Sequence, residues 1–252
     1  MSGHSKWSTI KHKKAALDSK RGAVFTTLAR EVTVATRAGN SGDPAMNFRL
    51  RLIMEKAKAA NMPGENIDRA IKKGLGIGAG GAVFEEITYE GYGPGGAAIM
   101  LMALTDNRNR TAAEVRSTFS KAGGNLGESG SVGWMFESKA VISVDEVTGE
   151  QAEAIELAAI DAGADDFTSE GGTLEISGPP SSLKALLDCV KEQGIEPSNA
   201  VVTMVPSAPM ALDTERASQT MRLIDKIEEL DDIQEVYTNA EYTDEAMEAY
   251  GS

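Results

Sequence analysis

The stretch from Gly74 to Gly81, with five glycines in eight residues, most limits what this chain can fold into. A glycine inside a helix or strand costs roughly 0.5–1 kcal/mol relative to alanine, so no regular element crosses such a run cheaply. It reads as a linker, and the hydrophobic pattern changes across it. Before it, apolar residues recur at helical spacing; after it, alternation and turn dipeptides take over. A chain of 252 residues has room for two or three compact units, so this break is a natural domain boundary.

Charge changes at the same place. Residues 1–80 carry 15 Lys and Arg against 6 Asp and Glu, a balance of +9, whereas residues 81–252 carry 10 against 32, a balance of −22. The net charge of −13 would, read alone, argue against a polyanionic partner. Its distribution reverses that, because a basic end on an acidic body confines phosphate to one face. Cys189 is the only cysteine, which excludes an internal disulfide. The longest apolar run, Ala97 to Leu104, has eight residues, far below the roughly 20 needed to span a bilayer. The basic start is followed by no apolar secretory segment. A cytoplasmic protein with no membrane partner is expected.

Local signals then place the elements. The first helix carries Val24, Phe25, Leu28, Val32 and Ala35 and stops at Gly39. A second is capped by Asp43, with Pro44 at its first position, and runs to Asn61. A third follows the Met62-Pro63-Gly64 turn with Ile67, Ala70 and Ile71 inward. Beyond the linker, Val83–Glu90 and Ala97–Leu104 flank a Tyr92–Gly96 turn as a hairpin. A capping box at Thr111 and Glu114 opens a helix ending at Gly123-Gly124, and Val132, Trp134 and Phe136 alternate as a third strand. Residues 139–206 read strand, helix, hairpin, helix, strand: Val141–Val144, a helix capped by Thr148 and Gln151, two strands around Gly171-Gly172, a helix opened by Pro179-Pro180, and Ala200–Val205. That βαββαβ order is the ferredoxin-like arrangement. The helix from Thr214 to Leu230 and the strand Ile233–Tyr237 cannot form a domain alone and are expected to return to the earlier sheet. The expected fold class is multi-domain α+β. A three-helix domain (1–80) precedes a discontinuous middle α/β sandwich domain (81–137 plus 207–252), into which a ferredoxin-like α/β domain (138–206) is inserted.

The densest candidate site is Lys6, Trp7, Lys11, His12, Lys13, Lys14, Lys20 and Arg21, cations with one aromatic that suit phosphate neutralisation and base stacking. Trp7 serves equally as a packing residue among helices poor in aromatics. Arg49, Arg51, Lys56 and Lys58 on the second helix, with Arg69, Lys72 and Lys73 on the third, extend the basic surface, although Lys72 and Lys73 also complement a helix C-terminus. Arg108 and Arg110, beside the expected helix start at Thr111, form a secondary anion-binding candidate. No cofactor is expected. The run Gly76–Gly81 follows a helix rather than a strand, so it lacks a phosphate cradle, and no Gly-Lys-Ser/Thr occurs. With two histidines and one cysteine no structural zinc site is expected. No nucleophile is framed for catalysis, and Asp165-Asp166 and Asp231-Asp232 read as caps and solvated turns. The chain is expected not to be an enzyme.

The segments GHSKW (Gly3–Trp7), KHKK (Lys11–Lys14), KAKAANMP (Lys56–Pro63), NIDRAIKKG (Asn66–Gly74) and YEGYGPGG (Tyr89–Gly96) resemble the YebC family. So do TDNRNRTAAEVR (Thr105–Arg116), GGNLGESGSVGWMF (Gly123–Phe136) and LDDIQEVYTN (Leu230–Asn239), so the resemblance spans nearly the whole chain. It implies one helical and two α/β domains with a cleft between them, and no catalytic activity. Bacterial relatives are described as DNA-binding transcriptional regulators, and others look like ribosome-associated factors that relieve stalling at proline runs. Mitochondrial relatives activate translation of a cytochrome oxidase subunit. Two positions depart from the family pattern. Lys13 stands where many relatives have arginine, giving a point charge in place of a bidentate fork, and Phe167 replaces a smaller apolar residue. Three readings follow: a DNA-binding transcriptional regulator, a translation factor bound to ribosomal RNA, and an adaptor whose acidic α/β domains hold a protein partner.

Overall fold

The computed structural model describes residues 21–77, 84–170 and 172–251. Half of the expected linker, residues 78–81, and Gly171 of the Gly171-Gly172 hairpin therefore lie outside the described residues. Helices α1 (Arg21–Ala38), α2 (Phe48–Ala59) and α3 (Gly64–Gly74) enclose a core of Leu28, Val32, Leu50, Ile53, Met62 and Ile67. A Cβ on Gly74 would lie 2.6 Å from the Thr33 carbonyl oxygen, so α3 closes against α1 only because that position has no side chain. The start of α2 differs from expectation. Its cap is Asn47, whose Oδ1 accepts the Leu50 N–H at 3.0 Å and whose Nδ2 donates to the Ala35 carbonyl at 2.8 Å. Asp43 instead closes a turn by accepting the Ala45 N–H. One side chain serving two helix ends outcompetes the Asp-Pro start.

The first sheet has the order β3-β1-β2-β9, with β1 (Glu85–Tyr92), β2 (Ala98–Thr105), β3 (Asn125–Leu126) and β9 (Ile233–Thr238) all antiparallel to their neighbours. The β1–β2 turn is tightened by Gly95, whose φ of 82° favours glycine. Ile99, Leu101 and Ala103 of β2 pack under α4 (Arg108–Lys121) and α7 (Thr214–Glu228), against Phe119, Met221 and Ile224. The alternate residues Ala98 and Met100 meet Val132, Phe136 and Tyr237 on the other face. Burial on both faces explains why β2 reads as an unbroken apolar run rather than an alternation.

Two expectations fail beside this sheet. Helix α4 starts a turn earlier than Thr111, capped by Asn107, whose Oδ1 accepts the Arg110 N–H at 3.1 Å. Thr111 lies inside the helix with its hydroxyl 2.7 Å from Asp232 Oδ2. The segment holding Trp134 is a 3-10 turn (Gly133–Met135), and Asn125–Leu126 takes the sheet edge instead. The cause is Glu90, whose carboxylate accepts the N–H groups of Gly130, Val132 and Gly133 at 2.8, 2.7 and 2.6 Å and curls the chain around itself.

The second sheet has the order β5-β6-β4-β7, all antiparallel, from β4 (Phe136–Val144), β5 (Asp166–Glu170), β6 (Thr173–Gly178) and β7 (Asn199–Pro206). Helices α5 (Gly149–Asp161) and α6 (Leu183–Glu192) cover one face, setting Ile155, Leu186 and Val190 against Ile142, Leu174 and Ile176. The Thr148–Gln151 capping box is present. After the second sheet the chain returns to the first through α7 and β9. Three elements were not expected: the short parallel pair β8 (Met210–Ala211) and β10 (Ala240–Glu241), and α8 (Asp244–Gly251), which lies against α7.

Candidate nucleic-acid interface

Of the basic cluster read from the sequence, Lys6, Trp7, Lys11, His12, Lys13, Lys14 and Lys20 lie outside the described residues, and Arg21 opens α1. Lys72 and Lys73 are exposed in the last turn of α3, where the helix dipole favours cations. One turn apart on α3, Arg69 and Lys73 line a cavity of about 370 Å³ together with Arg30, Asn66, Phe25 and Phe84. Among the described residues no carboxylate lines it. Lys73 Nζ and the Arg30 guanidinium stand 5.0 and 5.5 Å from the centroid of the Phe84 ring, close enough for cation–π attraction. Among the described residues, Arg69, Lys72 and Lys73 have no carboxylate within ion-pair distance. The combination of unpaired cations, an aromatic ring and a side-chain amide suits a phosphate with an adjoining base.

Three other cations of the helical part reach carboxylates or carbonyls at the first sheet. Arg30 donates to the Asp231 carbonyl at 2.7 Å and to Asp232 Oδ1 at 3.1 Å. Arg49 pairs with Glu86, and Lys56 lies 3.9 Å from Glu235. Arg51 stacks on Phe48 at 5.0 Å. The basic helices thus present one set of cations holding the first sheet and another that is free of carboxylates among the described residues.

Arg108 and Arg110 occupy the first turn of α4 rather than the loop before it. Arg110 Nη2 donates to Asp232 Oδ2 at 2.7 Å and to Asp106 at 3.0 Å. It therefore already holds a carboxylate, and of this pair Arg108 is the one with no such partner among the described residues. Asp232 itself corrects the expectation of a solvated Asp231-Asp232 turn, for it is 2% exposed. The hydroxyls of Thr105 and Thr111 stand 3.1 and 2.7 Å from its Oδ2. Burial pushes the Asp232 carboxyl up, but the hydrogen bonds from Arg110, Thr111 and Thr105 outweigh it and hold the group below the ordinary carboxylate range. Its side-chain partners lie more than a hundred residues away in sequence, so no local motif marks it.

A second cavity, of about 360 Å³, lies where α1, α2, β2, β9 and β7 converge. Leu52, Ile53, Val202 and Tyr237 supply apolar wall, and Glu31 and Gln234 supply polar groups. Burial pushes the Glu31 carboxyl up, with Lys56 only partly opposing it. The Oε1 and Nε2 of Gln234 are buried and have no hydrogen-bond partner among the described residues. The sequence reading assigned neither residue a role.

Residues 5–77 match the N-terminal domain of TACO1/YebC proteins, and residues 84–240 match the TACO1/YebC second and third domain. A probable transcriptional regulatory protein of Chloroflexus aggregans is 52% identical over 253 residues, covering 100% of both chains. A protein of the same name from Trichlorobacter lovleyi is 48% identical, covering 98% of this chain and 99% of its own. The crystal structure of a conserved hypothetical protein from Aquifex aeolicus is similar with a TM-score of 0.79 and 44% identity, covering 91% of this chain and 94% of that one. In sequence over its full length, and in fold over nine-tenths of it, the chain belongs to the TACO1/YebC family.

Proposed function

We propose that this protein is a non-enzymatic nucleic-acid-binding regulator of gene expression, of the DNA-binding transcriptional type, gripping its target through the cations of residues 1–80. The segregation of charge carries this reading: +9 before residue 81 and −22 from there on. Arg69, Lys72 and Lys73 support it, because among the described residues they stand clear of carboxylates while Arg30, Arg49 and Lys56 are held by the acidic body. Relatives named probable transcriptional regulatory proteins agree with it. Binding of this kind gains from counterions released as cations replace them on phosphate. The acidic α/β body repels the backbone and fixes which side of the molecule the duplex meets.

The test is fluorescence anisotropy of the full chain with labelled duplex DNA across a salt series. Each phosphate contact adds about 0.9 to the log–log slope. The triple replacement Lys11→Glu, Lys13→Glu and Lys14→Glu is expected to abolish binding while circular dichroism stays unchanged. Arg69→Glu with Lys73→Glu is expected to lower the slope by roughly 2, two contacts at about 0.9 each. A salt-insensitive complex, or full binding by the triple variant, would overturn the electrostatic grip. Crosslinking in cells followed by sequencing is expected to recover promoter DNA. Recovery of ribosomal RNA instead would replace the transcriptional assignment with a translational one.

A further inference from the structure

Strand β9 breaks its own alternation. Ile233 and Val236 both enter the helix-covered core, while Gln234 and Glu235 between them both line the cleft of about 360 Å³. The cause is a bulge: Met102 pairs with Glu235 and Ala103 with Ile233, so Gln234 is the extra residue. Bulges re-aim side chains, and the one re-aimed here is a carboxamide whose two polar atoms are buried and unpartnered among the described residues. On α1, Glu31 lines the same cleft, and its carboxylate makes no hydrogen bond or ion pair among the described residues. Among the described residues, Glu31, Glu55, Glu86 and Glu235 border the space with only Arg49 and Lys56 to balance them. Those two cations are already matched to Glu86 and Glu235, which leaves Glu31 and Glu55 in surplus.

We propose that this cleft binds a lysine-bearing segment of a basic polypeptide, with its peptide group paired to Gln234 and its ammonium to Glu31. A carboxamide offers an acceptor beside a donor, the complement of the N–H and C=O of an extended peptide residue. Leu52, Ile53 and Val202 cover an aliphatic stem, as long charged side chains require when only the head is polar. The ammonium supplies what Glu31 lacks among the described residues, a cation at ion-pair distance in a desolvated site. A nucleobase also fits a glutamine amide, but the surplus carboxylates repel the phosphates attached to it. The volume lies within the range of small-ligand clefts, about 300–1,000 Å³. This inference stands apart from the nucleic-acid grip of residues 1–80 and does not require it.

The test uses the full chain and three probes: a blocked Leu-Lys-Leu peptide, its norleucine analogue, and adenosine. Binding is followed by NMR at the side-chain amide of Gln234, identified by its loss in Gln234→Leu. The lysine peptide is expected to shift that resonance and to bind roughly tenfold tighter than the norleucine peptide, the effect of about one charge-assisted hydrogen bond. Glu31→Gln is expected to remove that preference, and Gln234→Leu to weaken both peptides. Equal affinity for the two peptides in the unaltered protein, which needs no variant to fold, would overturn the proposal. So would a Glu31→Gln protein of unchanged circular dichroism that keeps the preference. Binding of adenosine at Gln234 without the lysine peptide would make the cleft a nucleobase site instead.

Discussion

Asp232 and Gln234 lie two residues apart where the chain enters β9, and they are opposite solutions to one problem. Each places polar atoms out of water. Asp232 is met by Arg30 from α1, Thr105 from β2, and Arg110 and Thr111 from α4. Gln234 is met by nothing among the described residues. Leaving a buried amide unpaired costs about 1–3 kcal/mol, whereas a satisfied carboxylate ties its partners together. The difference separates a latch from a vacancy. Asp232 fixes how the basic helices sit on the first sheet, while Gln234 carries a cost that the fold alone does not explain.

The contrast breaks most visibly at the latch. Asp232→Ala takes the charged partner from Arg30, which is only 20% exposed and keeps the Asp231 carbonyl, and removes an acceptor from the two threonine hydroxyls. Removing one side of such a buried pair typically costs on the order of 3–5 kcal/mol. The expected outcome is a denaturation midpoint well below that of the unaltered chain, with faster amide exchange in α1 as the helical part loosens. Unchanged stability would mean that the Asp232 network is incidental.

Acid titration sharpens the same comparison with a second carboxylate. Burial pushes Glu90 up, but the amides of Gly130, Val132 and Gly133 overcome it and hold the group below the ordinary range. For Asp232 and Glu90 the folded pKa is depressed. Their stabilisation is therefore complete above the unfolded values, about 4, and is lost as pH falls through the lower folded values. Glu31 has the opposite sign: its raised pKa stabilises fully below about 4.3, and that contribution disappears as pH rises through the folded value. Glu90→Gln is expected to flatten the acid limb and to cost on the order of 2 kcal/mol at neutral pH. Faster exchange at Gly130, Val132 and Gly133 is expected with it. Glu31→Gln is expected to raise stability at neutral pH. Stability curves from pH 3 to 8 check both, and a Glu90→Gln protein with an unaltered acid limb would remove Glu90 from this account.

What the sequence disclosed follows the range of the interactions. The apolar run Ala97–Leu104, the Thr148–Gln151 box and the three-helix pattern rest on neighbours a few residues apart, and all three appear in the fold. Asp43 lost the start of α2 to Asn47 because Asn47 also reaches the Ala35 carbonyl, a contact made only once α1 is in place. Thr111 read as a cap, but its hydroxyl goes to Asp232, 121 residues away. Counting charge was enough to name the basic surface, Lys73 included, as a candidate. The groove beside Lys73 was not legible that way, since Phe84 comes from beyond the glycine-rich stretch of the sequence. Gln234 left one faint trace. Ile233 and Val236 are three apart, which a strand of period two accommodates only with a bulge.

The smallest expected effect is the most discriminating. Gln234→Leu replaces an unpartnered amide with an apolar group of similar length, beside walls that include Leu52 and Tyr237. Removing a buried group that lacks partners is close to neutral or slightly stabilising, within about 1 kcal/mol, because no hydrogen bond is lost and a desolvation cost disappears. Chemical denaturation of the variant is expected to give a midpoint equal to or slightly above that of the unaltered chain, while affinity for the lysine peptide falls. A loss of more than about 2 kcal/mol would show that the amide has a structural partner. Gln234 would then belong with Asp232 as part of the latch, and the cleft would lose the group that marks it as a binding site.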